Sequence, residues 1–125
     1  MQHGFPKNAW DSAKDEALHV LRNRAARRHN QTISYTELVE SLTAIQIGAH
    51  DPRLSSFLEE IVIAEHTNGR PLITVLVVHA TGDLMPGDGF YDISEQLGFN
   101  VADSEAFWIA EFQRTLNYWQ QPDNI

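Results

Sequence analysis

The stretch from Leu72 to Val78 constrains this chain most. Leu72-Ile73-Thr74-Val75-Leu76-Val77-Val78 is aliphatic at every position except Thr74 and is rich in β-branched residues, with His79 closing it. β-Branched side chains lose less freedom on a pleated surface than in a helix. With no polar alternation, the run reads as a strand buried on both faces, so other elements must cover it on either side. It is far too short to span a membrane.

The flanking sequence supplies helices as that cover. Trp10, Ala13, Ala17, Leu18, Leu21 and Ala25 recur at helical spacing and predict a first helix from about Asn8 or Ser12 to His29. Arg22, Arg24, Arg27, Arg28 and His29 crowd its end, where cations complement the helix dipole or form a binding patch. Ser34-Tyr35-Thr36-Glu37 is a capping box, flanked by Ile33 and Leu38 at the positions of a hydrophobic staple. It opens a second helix expected to reach Leu42 or Ala44. Asp51-Pro52 starts a third, with Leu54, Phe57, Leu58, Ile61 and Ala64 as its expected buried face, and Asn68-Gly69 stops it.

After the aliphatic run, Thr81-Gly82-Asp83 and Met85-Pro86-Gly87-Asp88-Gly89 are turn signals. Phe90 to Leu97 reads as a short strand or helix, and a last helix runs from about Asp103 or Ser104 to Gln120. Its apolar face is Trp108, Phe112, Leu116 and Trp119. No repeat or linker interrupts the pattern. The expectation is a single α+β domain, residues 1–125, with a winged-helix-like plan. Three N-terminal helices come first, then a short buried β-hairpin or sheet, then C-terminal helices.

Charge narrows the partner classes. The net charge is −8, unevenly spread. Residues 1–36 hold Lys7, Lys14, Arg22, Arg24, Arg27 and Arg28 against Asp11, Asp15 and Glu16, a net of +3. Residues 37–125 hold only Arg53, Arg70 and Arg114 among basic residues and net −11. An acidic body repels phosphate backbones, so nucleic acid is a disfavoured partner outside the Arg22–Arg28 patch. There is no cysteine, which excludes disulfides, thiolate nucleophiles and Cys-type zinc sites and fits a reducing compartment. The N-terminus lacks the apolar stretch of a secretory signal, so a cytoplasmic location and no membrane partner are expected.

Few residues suggest catalysis. His79, with Asp83, Asp88 and Asp92 beyond it, is the best polar cluster; such groups serve as metal ligands or as an acid–base pair. Turn and capping duties explain the same aspartates. No HExxH pattern, Gly-x-Ser-x-Gly elbow or phosphate-binding Gly-Lys loop occurs, and no metal or cofactor is expected. The last helix carries more aromatics than one core face accommodates. Phe107 and Trp108 are adjacent and point apart, so Phe107, Trp108 and Tyr118 are candidates for protein contact.

Ile33-Ser34-Tyr35-Thr36-Glu37-Leu38, Pro52-Arg53 at a helix start, Asn68-Gly69 before the aliphatic run, and the glycines from Gly82 to Phe90 together resemble the DNA-binding domain of alkylguanine-DNA alkyltransferases and alkyltransferase-like proteins. The resemblance covers less than half of the chain. It implies a winged-helix fold, with Tyr35 and Arg53 handling the DNA phosphate and a flipped base. Thr74-Val75-Leu76-Val77 stands where that family's transferases carry Pro-Cys-His-Arg, so alkyl transfer is excluded for want of a thiol. Glu59, Glu60 and Glu65 on the third helix also make a poor surface for a DNA groove.

Three functions follow for testing. The first is a non-enzymatic module docking a protein partner, a basic one, through its acidic surface, as an inhibitor or immunity protein does. The second is a nucleic-acid binder using Arg22–Arg28 (Arg24, Arg27 and Arg28 above all) with Tyr35 and Arg53. The third is a small metal-dependent or His/Asp enzyme around His79, Asp83 and Asp88.

Overall fold

A computed structural model describes residues 1–124. Helix α1 spans Lys7–Ala26, strand β1 Ile33–Ser34, α2 Tyr35–Glu40 and α3 Pro52–Thr67. A 3₁₀ turn, Ile73–Leu76, leads into strand β2, Val77–Val78; α4 is Asp88–Gln96, α5 is Ser104–Trp119, and a last 3₁₀ turn is Pro122–Asn124. The fold is mixed helical with a small two-stranded sheet, in keeping with the α+β class.

The aliphatic run is central, as expected, but it is mostly not a strand. Leu72 through Val77 are 0–4% exposed, and α1, α3 and α5 all pack on the Ile73–Leu76 turn. A strand there would need neighbours to satisfy its backbone, and β1 offers only Ile33 and Ser34, the second already the cap of α2. Other groups take over. The amide of Leu72 donates to Glu111 Oε2 at 2.8 Å, and the carbonyl of Val75 accepts from Trp108 Nε1 at 3.0 Å. Val75 N–H donates to the carbonyl of Leu72, and Val77 N–H to that of Thr74. Side chains of α5 thus replace a sheet ladder. Only Val77 and Val78 pair, in parallel, opposite Ile33 and Ser34. Of the hairpin and the sheet expected, it is a sheet, and a parallel one.

The capping box is present in full: Ser34 Oγ accepts from Glu37 N–H, and Glu37 Oε1 accepts from Ser34 N–H. Helix α2 nonetheless ends at Glu40 rather than Leu42 or Ala44, with Ser41 as its C-cap. Asp51 caps α3 and Pro52 is its first residue, as the sequence indicates. On α3, Leu54, Phe57 and Ile61 are buried as expected, but the face is shifted: Val62 and Glu65 are buried too, whereas Ala64 is exposed and Leu58 half-buried. Helix α1 stops at Ala26, so Arg27, Arg28 and His29 lie beyond it, and Arg24 is the one basic residue of its last turn. Phe90 to Leu97 resolves as helix, within α4. No helix among the described residues is long and apolar enough to cross a membrane.

Candidate binding pocket

Strand β1 runs directly into α2 and β2 ends one residue before His79, so the carboxyl ends of both strands open on the same place. Open parallel sheets place ligands at that end. Here it is a pocket of about 510 Å³, within the range of small-ligand sites (~300–1,000 Å³). One wall is the face of α3 carrying Leu54, Ser55, Leu58, Glu59 and Val62, which helical spacing aligns. The start of α4, from Gly87 to Phe90, with Ile93, forms another part of the lining. Tyr35, His50 and Asp51 line another side, and His79, Ala80 and Thr81 the mouth.

The walls are tied together by one contact. Tyr35 Oη accepts a 2.7 Å hydrogen bond from Gly87 N–H, joining the first residue of α2 to the N-cap of α4. Burial pushes the Tyr35 phenol up, the Gly87 amide offsetting part of the effect, so the hydroxyl keeps its proton. The His79 ring lies beside it, centroids 5.2 Å apart. A methyl group at Gly87 would stand 3.3 Å from Tyr35 Oη and 3.6 Å from His79 Nε2, a tight fit that would press on the Tyr35 hydroxyl. The loop between is held by His79 N–H on the carbonyl of Met85.

The charges in the pocket are one-sided. Asp51, Glu59 and Asp88 line it, and no Lys or Arg does. Asp51 is already neutralised: Arg53 forks onto both of its oxygens at 2.7–3.2 Å and holds its carboxyl down to about 2, helped by the Arg53 amide. Glu59 and Asp88 form no ion pair and accept no side-chain hydrogen bond among the described residues. Asp88 is the first residue of α4, so the positive end of that helix is itself lined with acid. At the floor, Thr74 is only 4% exposed, yet its hydroxyl has no hydrogen-bond partner among the described residues. Unlike Tyr91 Oη, it is not sealed from solvent, so it can bond water or whatever enters the pocket.

The sequence candidates fall in different places. His79 and Asp88 share the pocket, but no bond links them; Asp83 lies outside it and accepts from the Met85 amide in a turn. No three His, Asp or Glu side chains among the described residues come together as a metal site. Tyr35 lines the pocket, whereas Arg53 is turned onto Asp51, the carbonyl of His3 and the Phe5 ring, 4.5 Å away.

The arginines at the end of α1 are divided. Arg22 pairs with Glu65 and covers Trp119, and Arg24 donates to the carbonyl of Thr32 and to Glu37, leaving Arg27 and Arg28 exposed. Arg53 sits against the start of α1 and Arg27 past its end, about 30 Å away along a helix of this length. The two do not form one basic face. Phe107 packs among Phe90, Tyr91 and Phe99; Trp108 bonds Val75 and stacks on Phe112; Tyr118 lies against Trp119. Ile109, at 54%, is the large apolar side chain that α5 leaves exposed.

The sequence pattern missed Glu59, Ser55 and Thr74. Thr74 carries the clearest signal, as the one polar break in the aliphatic run. No protein-family model matches this chain, and no curated protein or solved structure is found similar to it.

Proposed function

We propose that this protein is a non-enzymatic binding module that docks a basic protein partner through its acidic body, with the pocket between α3 and α4 at the centre of the contact. One observation carries the reading: a pocket lined by three carboxylates and no Lys or Arg, two of the carboxylates unpaired. Unpaired like charges held around one cavity repel each other and are relieved by a cation. The net −11 of residues 37–125 steers a basic partner toward that side and raises its encounter rate.

The winged-helix plan belongs to this proposal for its helices. The order α1, β1, α2, α3, β2 and then the loop with Gly82 and Gly87 supports that reading, whereas the parallel pairing of β2 with β1 does not. A nucleic-acid role would rest on Arg27 and Arg28, with Arg22, Arg24 and Arg53 engaged within the fold. The placement of His79 and Asp88 around one pocket favours an enzymatic second reading, in which a bound substrate would bring the two groups into relay.

The test is a pair of salt titrations with labelled octalysine and labelled duplex DNA. Octalysine binding that weakens with salt, with no DNA binding at physiological salt, is the expected result. DNA binding that persists at physiological salt and is lost in Arg27→Ala/Arg28→Ala would overturn the reading.

A further inference from the structure

We infer that the pocket receives a single lysine side chain of the partner, its ammonium held by Glu59, Asp88 and the Thr74 hydroxyl. This rests on the docking reading above and names the group that enters. Three features select it. The acceptors come from three different elements: Glu59 from the middle of α3, Asp88 from the start of α4, Thr74 from the turn before β2. An ammonium has three donors that point apart and suits such an arrangement; a guanidinium presents a planar fork and suits one carboxylate, as Arg53 does on Asp51.

The walls fit the stem. Leu54, Leu58, Val62, Phe90 and Ile93 line the cavity with aliphatic and aromatic surface on which four methylenes can lie. The lining joins exposed residues, Asp88 and Thr81, to buried ones, Val62 at 1% and Thr74 at 4% exposure, so a long side chain entering from the surface meets both. Thr74 supplies the independent sign of a ligand: a side chain more than nine-tenths buried and without a partner of its own among the described residues, whose hydroxyl opens into a cavity lined with acid.

The experiment titrates the whole protein, labelled for amide NMR, with N-acetyl-lysine-methylamide, its ε-acetylated form and N-acetyl-arginine-methylamide. The lysine compound should shift the amides of Val62, Thr74 and Gly87 to Phe90. Glu59→Gln or Asp88→Asn should each weaken it about tenfold, the usual scale for one charge-assisted hydrogen bond. Thr74→Val, close in shape, should weaken it less and leave the fold intact. Equal or tighter binding of the ε-acetylated or arginine compound would overturn the inference. So would octalysine that binds the protein without moving Val62 and Thr74, an outcome that leaves the docking reading standing. Octalysine that fails to bind at all, while the lysine compound still shifts these amides, would sink the docking reading and keep the pocket's lysine preference.

Discussion

Two regions of this molecule treat carboxylates in opposite ways. Where α1, α3 and α5 meet, Glu65 is fully buried and Oε1 takes Arg22 at 3.2 Å and Arg70 at 2.9 Å. Nearby, Glu111 is 4% exposed and holds both Arg114 and the Leu72 amide. In the middle of α3, Glu59 borders a cavity that no Lys or Arg lines. Burying a charge costs several kcal/mol unless a partner offsets it, so the first arrangement is what a stable interior requires. The second leaves charge toward an opening where water, or a cation from outside, supplies the offset. The difference separates carboxylates that hold the fold from carboxylates available to a partner.

The largest expected effect lies at the closed end. Changing Arg22 and Arg70 together to Met leaves Glu65 buried without a cation, and unfolding free energy should fall by about 3–5 kcal/mol. Adding Glu65→Gln should return part of the loss. Chemical denaturation of the three proteins checks both, and a Met pair as stable as the parent would erase the contrast between the regions.

A smaller effect is expected beside the pocket, where the capping box starts α2. Ser34→Ala removes the acceptor of Glu37 N–H and should cost about 1 kcal/mol. Because Tyr35 follows at once and bonds Gly87, the substitution should also broaden the Gly87 amide resonance. An unchanged denaturation midpoint would mean that packing of Ile33 and Leu38 alone fixes the helix start.

Asp51 sharpens the comparison by pH. Its carboxyl is held near 2 by Arg53, below the ordinary carboxylate value, so its contribution to stability is complete above the ordinary value and is lost as pH falls toward 2. A carboxyl-carbon NMR titration should place the midpoint near 2, and Arg53→Met should move it upward. A midpoint at the ordinary value in the parent would mean that Asp51 joins Glu59 and Asp88 as a free charge of the pocket.

The sequence disclosed these regions unequally, for physical reasons. Capping chemistry is local, so Ser34-Tyr35-Thr36-Glu37 and Asp51-Pro52 placed two helix starts correctly. The interior of the aliphatic run was read correctly as central and wrongly as strand. β-Branched composition reports burial and stiffness, but the backbone partners came from Glu111 and Trp108, about thirty-five residues away. On α5 the expected apolar face packs on the core, with Trp119 buried and Trp108, Phe112 and Leu116 against it, but Glu111 and Thr115, which look like solvent-facing positions, are buried as well. Of the pocket, Tyr35, His79 and Asp88 were singled out in the sequence. Glu59 and Thr74 were not, because the cavity that joins them is made by α3 meeting α4 across distant sequence.

The most direct test of the account measures stability and binding on one variant, Glu59→Gln/Asp88→Asn. If these carboxylates serve a partner, unfolding free energy should stay within about 0.5 kcal/mol of the parent, as for surface positions. Octalysine affinity at low salt should fall by about a hundredfold, because two charge-assisted hydrogen bonds are removed at once. A variant that binds octalysine as tightly as the parent, or that loses several kcal/mol of stability, would contradict the division between the two regions.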